Sequence, residues 1–171
     1  MIIKTLKWVG GVDGHLEIID QRKLPGEYKT LRCCNVKQLY DAIKTLAVRG
    51  APAIGVAGGY GAVLALQKNI YRLPKGTPYG GARRTRRQKT EDRRQMLENS
   101  AFSAASAVKV LKRDCEYLAS SRPTAVNLRW AIDRVVKCAE NSAARLRCAS
   151  PRQAGTILEL RKVVLKEAND I

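Results

Sequence analysis

Residues 52–68 read PAIGVAGGYGAVLALQK, so Gly55, Gly58, Gly59 and Gly61 fall inside a stretch that otherwise reads as helix. Each glycine costs roughly 1 kcal/mol relative to alanine in an exposed helix. A helix so rich in glycine and alanine is stable when its backbone packs very close to neighbours or to a ligand. The segment therefore reads as a buried helix, and a buried helix needs other elements on its sides.

Upstream the pattern is that of strands. Residues 2–9 are rich in β-formers, residues 10–14 read as a turn, and Leu16-Glu17-Ile18-Ile19-Asp20 alternates into a second strand. Asp13-Gly14 signals a hairpin turn, because glycine tolerates the positive φ that such turns need. Pro25-Gly26 marks another turn, and residues 28–33 supply a third strand. From Asn35 the period lengthens. Val36, Leu39, Tyr40, Ile43, Leu46 and Ala47 recur at helical spacing, with Asn35 placed as a cap.

Beyond the glycine-rich helix, Pro74, Gly76, Pro78, Gly80 and Gly81 mark a surface loop. A long helix is expected to begin at Thr90 or Glu91 and to reach Leu118. Two more are expected, from Pro123 to about Leu146 and from Ser150-Pro151 to Ala168. The fold class is thus α+β and mainly helical. An antiparallel β-meander over residues 1–34 precedes a helical bundle over 35–171, which carries a basic loop at about 69–90.

At 171 residues the chain can bury a real core without a disulfide or metal staple. Its balance of 32 basic against 15 acidic residues, +17 in all, raises the expectation of a polyanionic partner such as nucleic acid. Much of the excess is local. Between Tyr71 and Ser100, nine basic residues face only Glu91, Asp92 and Glu98, a net +6. A solvated basic loop is the plainer account, and nucleic acid ranks behind a small anion as partner. The five cysteines are odd in number, and Cys33-Cys34 are adjacent, which suits neither a disulfide framework nor a zinc knuckle. With His15 as the one histidine, no metal and no cofactor is expected. No apolar run approaches the length of a membrane span. Reduced thiols and the lack of a secretion-type apolar start make the cytoplasm the expected compartment, with the nucleus as the alternative.

Two segments match one another: Arg49-Gly50-Ala51-Pro52-Ala53-Ile54-Gly55 and Ser121-Arg122-Pro123-Thr124-Ala125-Val126-Asn127-Leu128. Each sets an arginine just ahead of a proline, and each proline is expected to open a helix, since the amide it lacks would be unpaired there anyway. Helix N-termini present unpaired amides and a mildly positive dipole end. An arginine beside such an end completes a site for phosphate. Two in one chain suggest a bound sugar phosphate, or at least an anion. The plainer roles are a guanidinium at a helix C-terminus for Arg49 and a surface turn for Arg122. Asn127 reads as packing near the cap, and His15 as exposed in the hairpin turn. Asp41, Asp133 and Glu140 read as solvent-facing carboxylates, and Trp130 as core. The glycine-rich helix neither follows a strand nor ends in Gly-Lys-Ser/Thr, so it is not read as a nucleotide loop.

These two segments, together with Trp8, the stretch Leu16-Glu17-Ile18-Ile19-Asp20-Gln21-Arg22-Lys23-Leu24-Pro25 and Val48, resemble the methylthioribose-1-phosphate isomerase family. The resemblance implies an aldose–ketose isomerisation in methionine salvage, from methylthioribose 1-phosphate to methylthioribulose 1-phosphate. Ribose-1,5-bisphosphate isomerases and the non-catalytic regulatory subunits of translation initiation factor 2B are the related alternatives. It also implies that Arg49, Gly50 and Ala51 form the substrate-binding loop, that Arg122 is a second substrate-binding arginine, and that the full-length protein is a homodimer. Members of that family are longer and carry a C-terminal Rossmann-like domain. That domain supplies the catalytic cysteine, in a Cys-Asn-small-Gly context, and the catalytic aspartate. Cys148 stands in Arg147-Cys148-Ala149-Ser150, which is not that motif. No catalytic residue is assigned in this chain, and the chain is expected to be the N-terminal half of an isomerase, inactive alone.

Overall fold

Alternation of apolar and polar residues makes the N-terminal sheet two-faced. In the computed structural model, which describes residues 4–68, 104–148 and 157–171, strands β1 (Leu6–Val9), β2 (His15–Ile19) and β3 (Thr30–Cys33) form an antiparallel sheet in the order β1-β2-β3. The register pairs Trp8 with Leu16 and Leu16 with Cys33, and likewise Leu6 with Ile18 and Ile18 with Leu31. That face joins the hydrophobic core. Lys7, Glu17 and Arg32 line up across the other face, where Lys7 Nζ lies 3.0 Å from Glu17.

The β1–β2 turn differs from the expectation. The positive φ sits at Gly10 (+98°), not at Gly14. Gly14 is required for space instead, because a Cβ there would lie 2.4 Å from the Val9 carbonyl oxygen. The Gly14 amide closes the turn onto the Gly11 carbonyl at 2.9 Å, and Trp8 Nε1 donates to the same oxygen at 2.9 Å.

Helix α1 (Val36–Lys44) starts at Asn35, whose side chain accepts from the Gln38 amide at 2.9 Å. Gln38 Oε1 in turn accepts from the Cys34 amide at 2.8 Å, a reciprocal cap. The expected helix ran on to Ala47, but it stops at Lys44. Leu46 adopts φ +61°, its amide donates to Ile43, and the Ala47 amide donates back to Ala42 at 2.9 Å. This is a Schellman termination with leucine where glycine is usual. Ala47 keeps its helical-looking register because it is buried by that closure, not by a further turn of helix.

Helix α2 (Ala51–Lys68) is the buried centre, as its composition demands. Each glycine admits a different neighbour. Gly55 lies against Asn127, Gly58 against Leu128 and Ile132, Gly59 against Ala168 and Ile171, and Gly61 against Leu118 and Leu39. Those neighbours belong to helices α3 (Ala104–Ala119), α4 (Val126–Cys148) and α5 (Ile157–Asn169), to α1, and to the residue at the chain's end. At its far end, Gln67 Nε2 donates to the Val12 and Gly14 carbonyls, both at 2.9 Å. Buried Arg161 of α5 donates to Val12 at 2.5 Å and pairs with Asp13. Tyr60 stacks on Trp8 with ring centroids 5.3 Å apart, so sheet and helices share one core.

Two further expectations are corrected. Pro123 does not open α4. It lies in a turn closed by the Ala125 amide on the Arg122 carbonyl (3.0 Å), and the helix begins at Val126. Trp130 is not core: it is 54% exposed, with the Arg134 guanidinium 5.5 Å above its ring. Of the last helix, Leu160 and Val164 are buried while Leu158 and Val163 are exposed. The basic loop, the helix start at Thr90 or Glu91, the start at Ser150-Pro151 and the strand residue Ile2 lie outside the described residues.

Candidate anion-binding site at paired helix N-termini

Glycine at positions 55 and 58 brings α2 and α4 together. A Cβ on Gly55 would lie 3.3 Å from the Asn127 carbonyl oxygen, and one on Gly58 would meet Leu128 at 2.8 Å and Ile132 at 3.4 Å. Both contact series advance in chain order, so the two helices run side by side in the same direction. Their first turns, each led by an arginine, therefore lie at the same end of the pair. Neither first turn carries an acidic residue. Each helix dipole places roughly half a positive charge at that end, and no acid within either first turn offsets it.

The first of these ends is built by the α1–α2 loop. Gly50, at φ +90°, accepts from the Ile54 amide at 3.0 Å and so starts α2. Space is open around Gly50, so it is the backbone angle that selects glycine there. Ala51 and Pro52 follow in the first turn, both exposed. Arg49 is exposed too, and its Nε donates to the Leu46 carbonyl at 3.3 Å, which is the helix-end contact that its position suggested. At the second end, Arg122 is half-buried beside a hollow of about 280 Å³ lined also by Glu116, Ser120, Pro123 and Arg129. Arg129 is committed to Glu116 through two bonds of 2.9 and 3.0 Å. Arg122 carries no ion pair among the described residues.

A third component was not singled out from the sequence. Asp20, 1% exposed, takes Arg22 in a fork: Nε to Oδ1 at 2.7 Å and Nη2 to Oδ2 at 2.6 Å. The remaining Arg22 nitrogen, Nη1, donates to Thr45 Oγ1 at 3.0 Å. The Gln21 amide donates to the Ala47 carbonyl at 3.0 Å. The segment after β2 thus props the loop that presents Arg49. The Arg22 hydrogen bonds hold the Asp20 carboxyl down at about 2, against the opposing effect of burial. Asp20 and Arg22 lie within the stretch that carries the family resemblance, but their two-residue spacing does not by itself distinguish a fork from two solvated charges.

The other candidates lie elsewhere. Asn127 is exposed, and its main chain abuts Gly55. His15 is in β2 rather than in the turn; its side chain is only 15% exposed and lies 3.4 Å from Glu17. Asp41 and Asp133 are exposed, and Glu140 pairs with Lys112. Burial pushes the thiol of Cys33 up to about 11 and that of Cys115 up to about 12, so neither is a ready nucleophile. Among the described residues no cluster of His, Cys, Asp and Glu could hold a metal ion, and no helix is long and apolar enough to cross a membrane.

Comparison with known proteins places this chain in a family. The Initiation factor 2 subunit family matches residues 47–169, from the loop ahead of Arg49 to the end of α5. A methylthioribose-1-phosphate isomerase from Pelotomaculum thermopropionicum is 35% identical over 170 residues, which cover 99% of this chain and 35% of the relative. A 5-deoxyribose 1-phosphate isomerase from Moorella thermoacetica is 37% identical over 156 residues, covering 91% of this chain and 33% of the relative. Among solved structures, translation initiation factor eIF-2B subunit delta from A. fulgidus superposes with a TM-score of 0.64 at 30% identity, over 99% of this chain and 36% of that one. The 5-methylthioribose 1-phosphate isomerase from Pyrococcus horikoshii OT3 superposes with a TM-score of 0.65 at 25% identity, over 99% and 35%. The chain spans about a third of the length of the curated relatives it matches. Its sequence and its fold together make it a member of the Initiation factor 2 subunit family.

Proposed function

We propose that this chain is the substrate-clamping portion of an aldose–ketose isomerase that converts methylthioribose 1-phosphate to methylthioribulose 1-phosphate, in the cytoplasm and as a homodimer when full length. The observation that carries the reading is the pair of parallel helix N-termini, each led by an arginine and neither bearing an acid in its first turn. A phosphate at that end meets free amides from two helices and the guanidinium groups of Arg49 and Arg122, with Gly50 and Ala51 leaving the backbone accessible. Fixing the sugar by its phosphate holds the two adjacent carbons in register for the isomerisation. Positioning of this kind supplies several kcal/mol of a barrier. The two relatives named for their substrates act on a methylthioribose 1-phosphate and a 5-deoxyribose 1-phosphate. The substrate class is accordingly a ribose 1-phosphate modified at the carbon opposite the phosphate.

No proton-transfer role is assigned to the described carboxylates and thiols; Glu116, which lines the hollow beside Arg122, is bonded to Arg129. Asp41 and Asp133 are exposed, Cys33 and Cys115 are buried and protonated, and none sits at the paired helix ends. On this reading, as the family resemblance implies, the acid–base chemistry is assigned to the part of the relatives that this chain does not span. The test is an isomerase assay on methylthioribose 1-phosphate, following the ketose by NMR, with the chain alone and with the remaining portion of the P. thermopropionicum relative added. Silence alone with turnover on addition supports the reading. Turnover by the chain alone overturns the division of labour. A second reading, a non-catalytic regulatory subunit, is favoured by the likeness to the A. fulgidus delta subunit. It predicts no turnover in either arm together with stable association of the two portions.

A further inference from the structure

We infer that Arg22 is a positioning residue: forked by Asp20 and bonded to Thr45, it sets the conformation of the loop that presents Arg49 to the anion. The inference rests on the clamp reading above for its purpose, and on the contacts alone for its structure. The loop leaves α1 through a leucine at φ +61° and enters α2 through a glycine at φ +90°. Leucine in the left-handed region is strained, and such a backbone persists only where its surroundings over-determine it. Three contacts do so here. Arg22 Nη1 donates to Thr45 Oγ1 at 3.0 Å, Thr45 Oγ1 donates to the Asp41 carbonyl at 2.7 Å, and the Gln21 amide donates to the Ala47 carbonyl at 3.0 Å. The chain thereby connects a fully buried carboxylate to the last turn of α1 through one guanidinium. Arg22 is fixed in the process, since its Nε and Nη2 are both taken by Asp20. A bidentate fork with a third donor to spare is a geometry that arginine offers and lysine does not.

The test uses hydrogen exchange at the amides of Leu46, Ala47 and Val48, which bond back to Ile43 and Ala42, together with titration of inorganic phosphate followed by 31P NMR. Arg22→Lys keeps the charge beside Asp20 and the Thr45–Asp41 bond while removing the reach to Thr45. Thr45→Val removes the hydroxyl from an exposed site at little risk to folding, and Thr45→Ser restores it. Arg22→Lys and Thr45→Val are expected to speed exchange at those three amides about tenfold or more, as loss of a charge-assisted bond implies. Exchange in α2 should stay as in the wild type, and Thr45→Ser should behave as the wild type does. Unchanged exchange at the three amides in both variants would overturn the inference, as would equal acceleration throughout the chain. The phosphate arm judges the clamp separately. Weaker phosphate binding in the same two variants supports the purpose assigned to the loop, and a wild type that binds no phosphate sinks the clamp while the exchange data still decide the strut.

Discussion

Gly58→Ala tests whether the α2–α4 contact is as close as the site requires. Alanine gains roughly 1 kcal/mol over glycine in a helix interior. Against this, the new Cβ would lie 2.8 Å from Leu128 Cδ1, 3.2 Å from the Leu128 carbonyl oxygen and 3.4 Å from Ile132 Cγ1. Leu128 is fully buried, so its methyl has little room to rotate away, and the carbonyl cannot move without α4. Overpacking of this kind costs about 1–3 kcal/mol. With the buried Leu128 unable to yield, the steric term outweighs propensity, and the variant should be destabilised by up to about 2 kcal/mol at an unchanged denaturant slope in urea unfolding. Leu128→Ala alone should cost about 2–5 kcal/mol, the usual range for emptying a core leucine site. The two together should cost less than their sum by about 1 kcal/mol, because the added methyl takes space that Leu128 vacates. Stabilisation of Gly58→Ala, or strict additivity of the pair, would refute the close packing and with it the adjacency of the two helix ends.

Other outcomes follow from the same contacts. Asp20 has a folded pKa of about 2, below its ordinary 3.8, so its ion pair stabilises the fold above pH 4 and the contribution is lost as pH falls towards 2. The Tm gap between wild type and Asp20→Asn should thus be widest above pH 4 and narrow steadily below it; a gap independent of pH would contradict this. In the native protein at pH 8, iodoacetamide should label exposed Cys34 well before buried Cys33 or Cys115, as read by peptide mass spectrometry. Equal labelling of the adjacent pair Cys33 and Cys34 would show that β3 does not hold its buried face.

Much of this architecture is legible in the residues because local and tertiary preferences agree. Asn35 before an amphipathic run caps a helix, alternation from Leu16 to Ile19 makes a strand, and four glycines in seven positions demand close neighbours whatever those neighbours are. The failures occur where context decides. Leu46 and Ala47 continue the helical period, yet the chain reverses there, since the tie of Ala47 to Gln21 and of Thr45 to Arg22 outweighs the modest gain of one more turn. Pro123 suits a first helical turn and equally the second position of a β-turn, and the Ala125–Arg122 bond selects the turn. Trp130 sits two residues past the core position Leu128, which turns it outward once the α2–α4 contact is fixed. Arg49 and Arg122 were visible as paired motifs. What the motifs could not show is that the two helices run parallel, because direction is a property of packing and not of either segment.

The most direct test of the central claim is a phosphate titration by 31P NMR on the wild type, Arg49→Ala, Arg122→Ala and the double variant. If the two helix ends make one site, the wild type binds a single phosphate per chain. Each single variant should then weaken that same event by about tenfold or more, as loss of a bond to a charged group implies, with the fold intact by circular dichroism. Full wild-type affinity in either single variant, or two independent binding events each lost with one arginine, would contradict it.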